Sequence, residues 1–142
     1  MLKSKKGFTL IELMVVVAII GVLALLGLRL YTGQQIKAKN SIVKANAGTV
    51  QTLIQAELAD STSAEVYAMV GAPAAASDLI EASGIHIPDG SAQLINGTVT
   101  TDIGYVYVVY DATPGSESFT INGNSFDDPS IPVYTMPLTA RK

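Results

Sequence analysis

The residue with the most unusual chemical surroundings is Glu12, an acid inside an otherwise uncharged apolar run. The run extends from Phe8 to Leu28 and reads FTLIELMVVVAIIGVLALLGL. A carboxylate in hydrocarbon costs roughly 2.5–3.5 kcal/mol, and such residues usually have a specific partner. The next basic residue, Arg29, lies about 25 Å away along a helix that rises about 1.5 Å per residue. Glu12 therefore needs a counter-charge that the apolar run does not contain.

A cation within reach of Glu12 would be created if the chain were cut between Gly7 and Phe8. An ion pair between the new α-amino group and the carboxylate at about 4 Å contributes about 4 kcal/mol at an effective dielectric constant of about 20, which offsets the cost of burial. A secretory signal carries its small-residue cleavage site after the apolar region, whereas Gly7 precedes it. Gly7 therefore does not fit an ordinary secretory signal.

The apolar run has the length of a membrane-spanning helix. Its 21 residues would extend about 31 Å as a helix, and the hydrocarbon core of a bilayer is about 30 Å thick. Lipid offers no partners to the backbone, so the run must be helical there. Lysines precede the run, and a basic segment follows it, so the positive-inside rule alone does not fix the orientation. We define the basic segment as Arg29, Lys37, Lys39 and Lys44.

The stretch KKGFTLIELMVVVAIIG resembles the signal and helix start of the type IV pilin and pseudopilin family. The resemblance implies that a prepilin peptidase removes residues 1–7 by cutting after Gly7, and that Phe8 is then N-methylated. It also implies that Glu12 pairs with the N-terminal amine of a neighbouring subunit. The subunit would cross the cytoplasmic membrane once, with its N-terminus inside, before a pilus assembly platform adds it to a homo-oligomeric helical filament on the cell surface.

The family often has a glycine at the position of Gly21 and a proline at the position of Arg29. That proline helps the helix to loosen in assembled filaments. Here Gly27 alone, or Gly21 together with Gly27, would have to supply this weakness, because a glycine costs about 1 kcal/mol relative to alanine in a helix.

Composition and charge exclude several other functions. The chain has no Cys and a single His86, so disulfide frameworks, thiolate metal sites and Cys–His catalysis are excluded, and we do not expect an enzyme. Residues 45–140 hold eleven acidic residues and no Lys or Arg, and they would repel nucleic acid. In a filament, the basic segment is expected to lie against these acidic heads.

No cofactor is expected. Asp127 and Asp128 lie in a loop rich in Gly, Asn, Ser and Pro and are weak candidates for Ca²⁺ ligands, because they lack the alternating spacing of an EF-hand. The sequence Asn96-Gly97-Thr98 is a formal glycosylation site, but the same residues favour a tight turn.

The hydrophobic pattern continues as a helix beyond the apolar run. Val43, Ala47, Val50, Ile54 and Leu58 recur at helical spacing and line one face. We predict one helix from Phe8 to about Ala59, followed by a linking region over 60–91. The linking region contains a short helix that begins at Asp78.

The period then changes to two, which is typical of strands. Asn96-Gly97 predicts a hairpin turn, and Tyr105–Tyr110 is the best strand candidate. A second strand over Phe119–Asn122 follows the Pro114-Gly115 turn, and Ile131–Met136 is predicted to form an edge strand because of its prolines.

These patterns predict an α+β fold in which a long helix, with its apolar half protruding, packs its amphipathic half on a small antiparallel sheet. The expected parts are a leader (1–7), a membrane and filament-core segment (8–28), an amphipathic segment (29–59) and a head (60–142). We predict a structural subunit of a type IV pilus. Two alternatives remain, namely a pseudopilin of a secretion or DNA-uptake system, and a monomeric membrane-anchored binding domain.

Overall fold

The computed structural model describes residues 7–70, 79–80, 83–91, 93 and 103–140, of which Leu79 and Ile80 are helical. The elements are α1 (Leu10–Asp60), α2 (Ser63–Val70), β1 (Val106–Asp111), β2 (Ser118–Asn124) and β3 (Pro132–Thr139). The three strands form one antiparallel sheet in the order β1-β2-β3. The predicted α+β class, with a long helix and a small antiparallel sheet, is confirmed.

The chain divides into two units, Met1–Gln35 and Ile36–Lys142, and the boundary falls inside α1. In the C-terminal unit, α1 buries Val43, Ala47, Val50 and Ile54, which are four of the five residues predicted to line its packed face. These residues recur at helical spacing because together they face the core of one subunit.

Buried apolar residues from both helices and from two strands form that core. Outward-facing positions of β1 alternate with buried ones, as the period of two predicts. The fully buried members include Val66 and Val70 from α2, Val106 and Val108 from β1, and Phe119 and Ile121 from β2.

A glycine sets the distance between α1 and the sheet. A Cβ atom placed on Gly123 would lie 2.8 Å from Cγ1 of Val43, closer than real Cβ contacts allow. The backbone of β2 can therefore approach α1 only because position 123 has no side chain.

The predicted linking region over 60–91 contains a helix that was not predicted, because α2 occupies Ser63–Val70. The missed signal is the pair Thr62 and Glu65, which has the Thr-x-x-Glu spacing of a capping box. The Thr62 backbone N–H and hydroxyl donate to Glu65 Oε2 at 2.9 and 2.7 Å. These hydrogen bonds begin a new helix two residues after α1 ends.

The remaining predictions concern the strands and turns of the head, and some of them fall on residues that the structure does not describe. Strands form at Val106–Asp111 and Ser118–Asn124, and Gly115 between them has a φ of 82°, as the predicted Pro114-Gly115 turn requires. β3 lies at an edge of the sheet of described strands. The predicted hairpin at Asn96-Gly97 and the predicted helix start at Asp78 lie outside the described residues, whereas Leu79 and Ile80, directly after Asp78, are helical.

Candidate functional site

The N-terminal half of α1 exposes large apolar side chains on every side. Leu10 is 76% exposed, Leu23 is 62% exposed and Leu30 is 74% exposed. A helix that is apolar all round needs lipid or other helices to cover it. Within the described residues, α1 is the helix long and apolar enough to cross a membrane, with a mean hydropathy of 2.8 over its most apolar window.

The start of α1 is fixed by a hydrogen-bonded pair, Thr9 and Glu12. The Thr9 backbone N–H and hydroxyl each donate to Glu12 Oε2 at 2.8 Å. The Glu12 N–H reaches Thr9 Oγ1 at 3.3 Å in return. The pair is a capping box, which satisfies donors that a helix start otherwise leaves unpaired. Glu12 therefore has a neutral partner inside its own subunit, in addition to the cation that the sequence predicts it to need.

The predicted cleavage site lies just before this box. Gly7, Phe8 and Thr9 are outside the helix and exposed, and Phe8 is 84% exposed. A peptide bond outside a helix is accessible to an enzyme without local unfolding. The placement of Gly7 and Phe8 is compatible with cleavage and N-methylation, which stay predictions.

Gly21 and Gly27 lie inside α1, which continues unbroken through both residues and through Arg29. A Cβ atom added at either glycine would meet nothing within 4 Å. Among the described residues, packing requires neither glycine. Their predicted roles in helix flexibility and in packing stay predictions.

The four residues of the basic segment differ in their surroundings. Arg29, Lys37 and Lys44 are exposed. Lys39 instead places its Nζ 3.8 Å from the centroid of the Phe126 ring. The pKa of Asp89 is lowered, first by hydrogen bonds from Ser91 and also by the charge of Lys39. Lys39 thus has partners within its own head, which leaves Arg29, Lys37 and Lys44 as the exposed members of the predicted intersubunit segment.

Asn40 anchors the loop that contains Phe126. Its Oδ1 accepts a hydrogen bond from the Phe126 N–H at 2.8 Å, and its Nδ2 donates to Ser125 Oγ at 3.2 Å. These bonds join α1 to the segment after β2 and hold the Phe126 ring under Lys39. No sequence pattern pointed to Asn40, because its partners are more than 80 residues away.

The two calcium candidates are engaged in local turns. The carboxylate of Asp127 accepts a hydrogen bond from the Ser125 hydroxyl, which lowers the pKa of Asp127. Asp128 Oδ1 accepts the Ser130 N–H at 2.9 Å. Among the described residues no group of three or more His, Cys, Asp or Glu side chains could hold a metal ion. Calcium binding at these two residues stays a weak prediction.

Similarity to known proteins is concentrated in the same N-terminal region. A profile of the prokaryotic N-terminal methylation motif matches residues 2–28. The fimbrial protein EcpB of Eikenella corrodens is 47% identical over 56 residues, which cover 39% of this chain and 35% of EcpB. The resemblance to the type IV pilin family is confirmed.

Two further relatives come from Dichelobacter nodosus. The type IV major fimbrial protein FimA is 43% identical over 61 residues, covering 43% of this chain and 38% of FimA. A probable minor fimbrial protein is 36% identical over 105 residues, covering 74% of this chain and 62% of that protein. The chain thus matches little more than a third of the first two relatives and under two thirds of the third. No solved structure matches the chain significantly.

Proposed function

We propose that this chain is a structural subunit of a type IV pilus that polymerises through the N-terminal half of α1. The observation that carries the proposal is the exposure of the large apolar side chains between Leu10 and Tyr31, next to the fimbrial similarity of this segment. The core formed by the described residues contains none of these side chains. Their contacts must come from lipid before assembly and from neighbouring helices afterwards.

Assembly would begin with processing of the N-terminus. A prepilin peptidase would cut after Gly7 and methylate the new Phe8 amine, and a pilus assembly platform would move the subunit from the cytoplasmic membrane into the filament. The methylation motif over residues 2–28 and the exposed Gly7–Phe8 bond support this sequence of events. The subunit would cross the membrane once, with its N-terminus on the cytoplasmic side.

Non-covalent contacts would then hold the polymer together. Each helix exchanges lipid for protein neighbours, so little hydrophobic free energy is gained and the fit between helices must set the register. The ion pair between Glu12 and the Phe8 amine of a neighbour would add an electrostatic preference for one register. This preference would be strengthened where neighbouring helices exclude water from the pair.

Mass spectrometry of protein sheared from the cell surface tests the proposal. We expect a mature chain that begins at methylated Phe8 and is abundant in filaments. The change Glu12→Gln should leave cutting intact and strongly reduce filament yield, whereas the matched change Glu57→Gln on the same helix should not. Surface protein that still carries residues 1–7, or normal filament yield from Glu12→Gln, would contradict the proposal.

A further inference from the structure

The two oxygens of the Glu12 carboxylate have different surroundings. Both hydrogen bonds from Thr9 reach Oε2, at 2.8 Å each. Within residues 7–70, no hydrogen bond reaches Oε1. A carboxylate oxygen can accept about two hydrogen bonds, so Oε1 keeps its full capacity for another donor. The subunit therefore satisfies one side of this acid and leaves the other side open.

The atoms that hold Oε2 are unaffected by the proposed processing. The donating N–H of Thr9 belongs to the peptide bond between Phe8 and Thr9, which lies one bond beyond the cut. The Thr9 hydroxyl likewise stays in the mature chain. The capping box therefore persists when the new amine forms, and the amine does not have to displace it.

The surroundings of Glu12 make this anchoring effective. Phe8, Ile11, Val15 and Val16 line a shallow apolar groove together with Glu12. These side chains are exposed in the single subunit, and a neighbouring helix that covers them would exclude water and strengthen the hydrogen bonds to Glu12. A glutamate side chain has several rotatable bonds, and ordering it at the moment of association would oppose binding. Thr9 orders the carboxylate beforehand.

We propose that Thr9 is a positioning residue for assembly: it binds one oxygen of Glu12 within the subunit and leaves the other oxygen to accept the N-terminal ammonium group of a second copy of this chain. The inference rests on the proposed function and adds to it. Glu12 would then be bound by its own subunit and by a neighbour at the same time, rather than exchanging one partner for the other.

The second capping box provides a matched reference. Thr62 and Glu65 repeat the arrangement of Thr9 and Glu12, with both donors of Thr62 again on Oε2 of the acid. This second box lies in the acidic C-terminal unit rather than in the apolar segment. A Thr→Val change in either box removes one hydroxyl and keeps the side-chain shape, so the two changes differ mainly in location.

Competition within one cell tests the inference. Each variant is expressed with the wild-type chain, and its fraction in sheared filaments is divided by its fraction in the membrane, with both measured by mass spectrometry. We expect Thr9→Val to enter filaments several-fold less than the wild type. Thr9→Ser should restore incorporation because it keeps both donors, and Thr62→Val should incorporate like the wild type.

Three results would overturn the inference. The first is equal incorporation of Thr9→Val and wild type, and the second is an equal loss for Thr9→Val and Thr9→Ser. The third is a Thr9→Val chain that keeps residues 1–7 in the membrane, because its loss would then arise from cutting. A wild-type chain that is itself uncut or absent from filaments would contradict the proposed function instead.

Discussion

Leu23 and Ile54 lie on the same helix and have side chains of similar size, yet Leu23 is 62% exposed and Ile54 is completely buried. The difference arises from what each half of α1 has to pack against. The C-terminal half has the sheet and α2 of its own subunit. The N-terminal half is apolar on every side, and the described residues of its own unit do not cover it. One helix can thus supply the core of a subunit and, as we propose, the core of a polymer.

The two halves also use glycine differently. Gly123 permits a close approach between α1 and β2 inside the subunit, whereas Gly21 and Gly27 have open space around them. A glycine that is needed for folding is thus distinguished from one that is free for contacts with other molecules. Changes in the two halves should therefore affect different measurements.

The largest expected effect on stability comes from the buried half. Ile54→Ala should lower the free energy of unfolding by about 2–5 kcal/mol, because it leaves a cavity in the core. Ile19→Ala, the matched change in the exposed half, should leave that free energy nearly unchanged and lower filament yield. Urea unfolding of the full chain in detergent, followed by circular dichroism, measures the first quantity. Equal destabilisation by both changes would remove the distinction between the halves.

A smaller effect is expected at the close contact with α1. Gly123→Ala should destabilise the chain by about 1–3 kcal/mol, because the new methyl group overlaps Val43. Gly27→Ala is the control, since its methyl group has space and alanine favours a helix. The same unfolding measurement applies to both. If Gly123→Ala is tolerated without loss, the packing between α1 and β2 is looser than described.

The basic segment offers a comparison between neighbouring lysines. Lys39→Gln should destabilise the head by about 0.5–1 kcal/mol, because it removes the cation above the Phe126 ring. Lys44→Gln should not destabilise the head, because Lys44 is exposed.

For the stability of filaments, in contrast, we expect Lys44→Gln to have the larger effect. If Lys44 faces acidic heads of neighbouring subunits, wild-type filaments should dissociate more readily as salt is raised, and Lys44→Gln filaments should depend less on salt. Light scattering of sheared filaments at several salt concentrations measures both. Filaments indifferent to ionic strength would refute a role for the basic segment in assembly.

The smallest effect concerns the capping box of α2. Hydrogen bonds from the Thr62 backbone and side chain lower the pKa of Glu65 in the folded chain. The ionised form therefore stabilises the fold above the ordinary carboxyl range, and this contribution is lost as the pH falls through the lowered pKa. From neutral pH to about pH 3, the wild type should lose more stability than Glu65→Gln. Parallel pH curves for the two proteins would contradict this role for Glu65.

Local sequence patterns were sufficient to predict much of the fold. The recurrence of Val43, Ala47, Val50 and Ile54 predicted the packed face of α1, and alternation predicted β1. These patterns can be read from sequence because each depends on the period of one element. The missed helix α2 also had a local signal in Thr62 and Glu65, and its short length of eight residues made that signal easy to overlook.

The N-terminal site was similarly accessible, because an acid in an apolar run is visible in the sequence. What stayed hidden was the partner of Glu12 in the subunit. Thr9 is three residues away, and its role depends on where the helix begins. The apolar run indicated that Glu12 needed a partner, and the backbone geometry at Thr9 supplied one.

The sequence by itself determined the elements whose causes are local, namely the apolar run, the period of α1, the strand β1 and the turn at Pro114-Gly115. Only the tertiary structure decided which distant residues meet. It placed Lys39 over Phe126, Val43 against Gly123, and the Gln93 amide on the backbone of Val106 at 3.0 Å. Such contacts depend on how separate elements pack, and many residue pairs have the right chemistry to form them. The packing of the core determines which of those pairs form, and a short stretch of sequence is not enough to predict them.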